Sequence, residues 1–212
     1  TDVCIIGAGI VGLSVAYQIL QRYSYLSITI VDKEDSVGRH SSGRNSGVLH
    51  AGLYYQPESL KAKVCVQGGR RLKAWCHNEN IPVMECGKVI TPQKPELDKQ
   101  LETLVERGRA NGATVELIDE KQFKDLVPDG RTSTGRAVRS PDTCIVKPIQ
   151  VINRLKKKLQ AQGVTFAFSQ QKWKVETNAK RIIFNNGVKL SYDHLINCAG
   201  LQADRVAHQF DI

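Results

Sequence analysis

Glycines at positions 7, 9 and 12, in the run Gly7-Ala8-Gly9-Ile10-Val11-Gly12, and an acid 20 residues further on at Asp32 are the residues whose spacing most directly implies chemistry. That chemistry is the grip on a dinucleotide. Gly7 permits a tight strand-to-helix turn, Gly9 lets a pyrophosphate approach the backbone, and Gly12 lets a helix pack closely. A helix starting there presents free N–H groups and partial positive charge to phosphates. Asp32 can accept hydrogen bonds from an adenosine ribose and argues against a 2′-phosphate, although Lys33 beside it leaves that door ajar. The spacing alone does not separate NAD from FAD. A plain glycine-rich turn ahead of a helix would not call for an acid at this distance.

Such a turn needs a strand before it and a helix after it. Asp2-Val3-Cys4-Ile5-Ile6 is a short apolar run suited to a buried parallel strand. Ile10, Leu13, Ala16, Tyr17 and Leu20 recur at helical spacing through Arg22, and Ala16 is small enough to let helix and strand approach. Ser27 to Asp32 reads as a second strand ending on the acid, which completes a βαβ start. Further along, helices are predicted over 59–79, 95–111, 119–126 and 146–162, the last closed by Gly163. Strands are predicted over 84–91, 113–118, 137–141, 165–168, 173–177, 181–184, 188–190 and 194–198, with a hairpin turn at Asn186-Gly187. Residues 36–56, rich in Gly, Ser and Arg, are expected to form a loop or a ligand-facing segment. No repeat or linker divides the chain, so interleaved rather than sequential domains are expected.

The 36–56 segment carries the second group of chemistry-bearing residues. It contains Gly38-Arg39-His40-Ser41-Ser42-Gly43-Arg44-Asn45-Ser46-Gly47-Val48-Leu49-His50-Ala51-Gly52-Leu53-Tyr54-Tyr55, whose small residues and hydroxyls can reach phosphates and line a flat ring. The stretch resembles the second flavin-contacting segment of the FAD-dependent D-amino-acid-oxidase-like (DAO) superfamily. More narrowly, Arg44 to Tyr55 followed by Pro57-Glu58-Ser59-Leu60-Lys61-Ala62-Lys63 resembles the L-2-hydroxyglutarate dehydrogenase/oxidase family. Cys86-Gly87-Lys88-Val89-Ile90, Ser140-Pro141-Asp142-Thr143-Cys144-Ile145-Val146 and Leu195 to Arg205 fall where that family has similar stretches. Two positions depart: the family usually has Gly where Cys144 stands and Asp where Lys147 stands.

The resemblance implies an α/β fold: a Rossmann-like FAD-binding domain with a parallel sheet, plus an interleaved mixed-sheet substrate domain. The expected bounds are 1–80 and 141–212 for the FAD-binding domain and 81–140 for the substrate domain. The family is about twice as long, so the chain is expected to be a fragment. It opens at Thr1 with no leader, which implies a removed leader or a cut chain, and its tail Gln209-Phe210-Asp211-Ile212 carries no anchor signal. The implied cofactor is FAD, and the implied reaction is oxidation of L-2-hydroxyglutarate to 2-oxoglutarate, with hydride transfer to the flavin. A dicarboxylic 2-hydroxy acid is then the substrate, and quinone or oxygen the electron acceptor.

Site residues follow from the same resemblance. Arg44, Asn45, Ser46 and Gly47, together with Ala199 and Gly200 on the returning strand, are expected at the pyrophosphate or the flavin edge. His50 is the candidate general base, since imidazole titrates near working pH. Two other roles are open to it: a structural histidine bonded to the flavin-side backbone, or the point of covalent flavin attachment. Lys61, Tyr54 and Tyr55 are candidates for holding substrate carboxylates, as is Arg44 with its fork geometry. Taken singly, each fits a solvated charge or a half-buried ring better, because long side chains usually end in water. A sibling flavoenzyme acting on an amino acid or glycerol 3-phosphate, and a non-catalytic nucleotide-binding remnant, are the competing readings.

Composition sets outer limits. The 212 residues are 41% hydrophobic and 24% charged, which excludes a disordered or collagen-like chain. No apolar run is long enough for a transmembrane helix. The net charge of +9 is spread along the chain without a nucleic-acid motif, so no nucleic-acid partner is expected. It would instead suit peripheral contact with an anionic membrane, where quinones reside. Six cysteines without C-x-x-C pairing imply free thiols in a reducing compartment, cytoplasmic or mitochondrial. No Cys/His cluster has metal-ligand spacing, so no metal is expected.

Overall fold

A computed structural model describes residues 1–210; the tail residues 211 and 212 lie outside the described residues. The chain packs into two units, one built from residues 1–45 and from 148 onward, the other from residues 46–147. The βαβ start forms as the apolar pattern requires. Strands β1 (Val3–Ile6) and β2 (Ile28–Val31) are buried at every residue and pair in parallel, Val3 opposite Ile28 through Ile6 opposite Val31. Helix α1 (Ile10–Arg22) joins them and buries Leu13, Ala16 and Leu20.

The second unit begins with β3 (Val48–Leu49), α2 (Leu60–Asn78), β4 (Val83–Met84) and β5 (Lys88–Ile90). Ser59 caps α2, its hydroxyl oxygen accepting the Ala62 N–H at 3.2 Å. Next come α3 (Lys99–Ala110), β6 (Glu116–Asp119), α4 (Glu120–Leu126), β7 (Arg136–Ser140) and β8 (Cys144–Val146). Two three-stranded antiparallel sheets result, in the orders β3-β8-β4 and β5-β7-β6. Leu53, Leu101, Val105, Val115 and Val138 form a core against α3. Arg136 ties β7 to α3, donating to Asp98 at 2.6 Å and Glu102 at 2.9 Å.

Two local expectations change here. The single strand predicted over 84–91 is two strands in different sheets. Gly87, at φ +67°, turns the chain between them, and its N–H donates to the Thr143 carbonyl at 3.0 Å. The helix predicted from Val146 begins two residues later. Cys144–Val146 is strand β8, held by the Val146 N–H on the Gly47 carbonyl at 3.0 Å, and Pro148 opens the helix, where its missing N–H is no loss.

The chain then completes the first unit. Helix α5 (Pro148–Ala161) buries Val151, Ile152, Leu155 and Leu159 and packs on α1. Strands β9 (Thr165–Ala167), β10 (Trp173–Glu176), β11 (Arg181–Phe184), β12 (Lys189–Ser191) and β13 (His194–Asn197) precede a short helix, α6 (Ala203–Ala207). A wholly parallel sheet forms in the order β13-β1-β2-β9, while β10-β11-β12 is an antiparallel meander. Ile182, Phe184 and Tyr192 cover one side of Cys4, Ile6 and Val31. Each fully buried large aliphatic contributes about 2 kcal/mol to that core. The parallel sheet with covering helices is the expected α/β architecture. All six cysteines are free, and the described residues hold no cluster of groups able to bind a metal.

Candidate functional site

Gly7 turns the chain out of β1 at φ +112°, and its N–H donates to the Val31 carbonyl at 2.8 Å. A β-carbon here would collide with the Cys198 carbonyl oxygen, and one at Gly12 would collide with the Gly7 carbonyl oxygen. Only glycine therefore allows β1, α1 and the residues after β13 to converge. Gly9 is the N-cap of α1 and is extended; a β-carbon on it would lie 3.1 Å from the Ser42 hydroxyl. The Ser42 oxygen accepts the Ile10 N–H at 3.0 Å, and the first turn of α1 carries no acidic side chain to repel an anion. A cradle that glycines keep open at a helix N-terminus fits a dinucleotide diphosphate.

Asp32 stands at this turn. One carboxylate oxygen accepts the Ala8 N–H at 2.6 Å and the other accepts the Glu34 N–H at 2.9 Å. Each oxygen keeps a further lone pair, so a ribose hydroxyl can still be accepted. Lys33 Nζ lies 3.8 Å from the Glu34 carboxylate. Asn45 donates its amide to the carbonyls of Ser41 at 3.0 Å and Ser42 at 2.9 Å, which fixes the loop that delivers Ser42. Arg44 is exposed on that loop. Ala199 and Gly200 follow β13, with the Ala199 N–H donating to the Asn197 side chain at 3.2 Å. The first unit thus gathers Gly7, Gly9, Gly12, Asp32 and Ala199 around one turn.

The remaining candidates belong to the second unit. Ser46 is exposed, whereas Gly47 is buried and bonded to Val146. His50 is exposed at the mouth of an open cleft of about 180 Å³, whose polar lining also includes Arg70, Lys73, Thr114 and Asp142. Helix α2 comes close to the His50 backbone because Gly69 has no side chain; a β-carbon there would lie 3.4 Å from the His50 carbonyl. Arg70 donates to the Gly112 carbonyl at 2.5 Å, Lys73 to Glu85 at 2.6 Å, and the Thr114 N–H to Asp142 at 2.7 Å. The hydrogen bond between Lys73 and Glu85 raises the lysine above its usual range and lowers the glutamate below its own. Burial pushes the Cys144 thiol up, which keeps it protonated and inert.

Tyr54 and the Tyr55–Lys61 pair have different partners. The Tyr54 hydroxyl accepts a hydrogen bond from Lys88 at 2.5 Å, while Lys61 lies 6.0 Å from the Tyr55 ring centre. Ser42, Arg70, Lys73, Asp142 and Lys88 were not singled out from the sequence as site residues. The doublet Gly68-Gly69 inside a helix was the available signal for α2, because glycine is costly there unless something approaches closely.

The family described as FAD dependent oxidoreductase (DAO) matches residues 2–212. The L-2-hydroxyglutarate dehydrogenase of Indibacter alkaliphilus is 39% identical over 211 residues, covering 97% of this chain and 52% of that protein. The mitochondrial L-2-hydroxyglutarate dehydrogenase of Homo sapiens is 34% identical over 220 residues, covering 97% of this chain and 47% of that protein. Among solved structures, L-alpha-glycerophosphate oxidase from Mycoplasma pneumoniae, with FAD bound, superposes with a TM-score of 0.83 at 24% identity, covering 99% of this chain and 56% of that one. Glycine oxidase from Geobacillus kaustophilus superposes at 0.87 with 16% identity, covering all of this chain and 58% of that one. These two likenesses establish the fold. The chain spans about half the length of the curated relatives it matches.

Proposed function

We propose that this chain, which belongs to the FAD-dependent oxidoreductase (DAO) family, works within a flavoenzyme that oxidises L-2-hydroxyglutarate to 2-oxoglutarate. The observation that carries this reading is identity of 34–39% over 97% of the chain to relatives named L-2-hydroxyglutarate dehydrogenase. The first unit is assigned to the flavin nucleotide and the second, apart from Ser46 and Gly47 at its start, to the substrate.

When bound, FAD supplies the acceptor for the hydride on the carbon bearing the hydroxyl. The chain's own residues hold and orient. Gly7, Gly9 and Gly12 open the backbone to the diphosphate, and Asp32 receives the ribose hydroxyls. Arg44, Asn45, Ser46, Gly47, Ala199 and Gly200 are assigned to the rest of the cofactor contact. His50 takes the hydroxyl proton onto its imidazole as the hydride leaves, so a full alkoxide charge never develops. Tyr54, Tyr55 and Lys61 are assigned to the substrate side. The acceptor is assigned as a quinone at an anionic membrane, in keeping with the net charge of +9; among the described residues no helix is long and apolar enough to cross a membrane.

The test uses the full-length protein. It should be yellow, and L-2-hydroxyglutarate added without oxygen should bleach the flavin band, whereas glycine, sarcosine and glycerol 3-phosphate should not. Protein that stays colourless with added FAD, or is bleached only by an amine or a phosphate ester, overturns the reading.

A further inference from the structure

We propose that Lys88 and Tyr54 together seat the distal carboxylate of the substrate and so select a dicarboxylate over a monocarboxylate hydroxy acid. This rests on the reading above and adds a residue, Lys88, to its substrate side. Lys88 opens β5 and is half-buried; its Nζ donates to the Tyr54 hydroxyl and stands 4.6 Å from the centre of the Tyr54 ring. Three other cations of the second unit meet carboxylates: Lys73 meets Glu85, Arg136 meets Asp98 and Glu102, and Arg139 meets Glu116. Among the described residues Lys88 meets none. The Lys88 stem is half-buried while its ammonium, bonded to a neutral phenol, is exposed and so stays open to an arriving anion. The phenol oxygen accepts from the lysine, so its own O–H remains free to donate. An arriving carboxylate would find an N–H and an O–H side by side, both able to form strong hydrogen bonds to its charge.

Both groups also sit on fixed backbone. Val89 and Ile90, the residues after Lys88, pack into the two cores of the second unit. Tyr54 follows the buried Leu53, and the Asn111 amide holds the Gly52 carbonyl at 2.9 Å and the Tyr55 carbonyl at 3.0 Å. Tyr54 remains 44% exposed, so the pair is open to a ligand, and it lies on the same segment as His50. Such a pair needs little reorganisation to bind.

The experiment compares L-2-hydroxyglutarate with L-2-hydroxyvalerate, which has the same reacting end and no second carboxylate, in full-length enzyme carrying K88Q, K88R or Y54F. K88Q should lower kcat/KM for the dicarboxylate by about 100-fold, mostly through KM, the size of one lost charge-assisted hydrogen bond. It should leave the monocarboxylate within about 3-fold and weaken glutarate, read from its perturbation of the flavin spectrum, by the same factor as the dicarboxylate substrate. Y54F should show a smaller loss of the same selectivity, and K88R should restore most of it. Equal losses for both substrates, or unchanged glutarate binding in K88Q and Y54F, would overturn the proposal. Wild-type enzyme that binds FAD but is not bleached by L-2-hydroxyglutarate would defeat the functional reading itself, and this proposal with it.

Discussion

The carboxylate of Asp32 accepts the backbone N–H of Ala8 at 2.6 Å, so the residue that ends the second strand also clamps the turn leaving the first. Its other oxygen holds the Glu34 N–H. D32N keeps the shape but puts a donating NH2 where one accepting oxygen stood, so one of the two backbone donors faces a donor and the other loses its charged partner. We expect a loss of about 1–3 kcal/mol in urea unfolding and at least about 10-fold weaker FAD binding by fluorescence titration. Unchanged stability together with unchanged FAD affinity would refute the double role.

Glycines 12 and 68 should respond in opposite directions to alanine. At Gly12 the new methyl meets the Gly7 carbonyl oxygen; at Gly68, within α2, it meets nothing within 4 Å. G12A should cost about 1–3 kcal/mol and abolish FAD uptake, whereas G68A should add about 0.5–1 kcal/mol. Melting temperatures, moving by about 2–4 °C per kcal/mol for a chain of this size, report both.

The Cys4 thiol, fully buried in β1, is pushed up to about 12 by burial, from an ordinary value of 9.0. The unfolded chain therefore loses this proton first as pH rises. The stability linked to Cys4 is intact below about pH 9 and declines between about pH 9 and pH 12, at up to about 1.4 kcal/mol per pH unit. Burial raises Cys76 and Cys198 in the same sense. Urea midpoints measured at pH 8, 9 and 10 should fall less steeply in C4A than in the wild type. Parallel slopes would show that Cys4 is not the linked group.

His50 is exposed, so H50Q should leave the fold and the FAD content unchanged. Stopped-flow bleaching by L-2-hydroxyglutarate should slow by about 100-fold or more if its imidazole takes the hydroxyl proton. A rate within about 3-fold of wild type would remove His50 from that role.

The glycine turn was legible in the sequence because every part of it is local: a strand, three glycines, a helix and an acid within 32 residues. The break at Gly87 was not, because the run 84–91 has strand character throughout and only a positive φ, paired with Thr143 far along the chain, divides it. The start of α5 was overrun for a similar reason. Val146 suits a helix locally, but its N–H is taken by Gly47, and only Pro148 marked the true beginning. The polar lining around His50 comes from three other stretches of the second unit, and Lys88 reaches Tyr54 across 34 residues. Side chains that meet through sheet pairing leave no periodic trace in the chain.

The order β13-β1-β2-β9 has a bearing on how the protein is made. On the ribosome, β1 and β2 emerge as a two-stranded parallel ribbon with both edges bare. The neighbours that close those edges begin only at Thr165 and His194. All of residues 46–147 must be synthesised in between, so the nascent chain carries an unsealed, largely apolar pair of strands throughout the synthesis of that stretch. Holding that ribbon apart from its like is a task for chaperones, and slow elongation past residue 147 would lengthen the exposure.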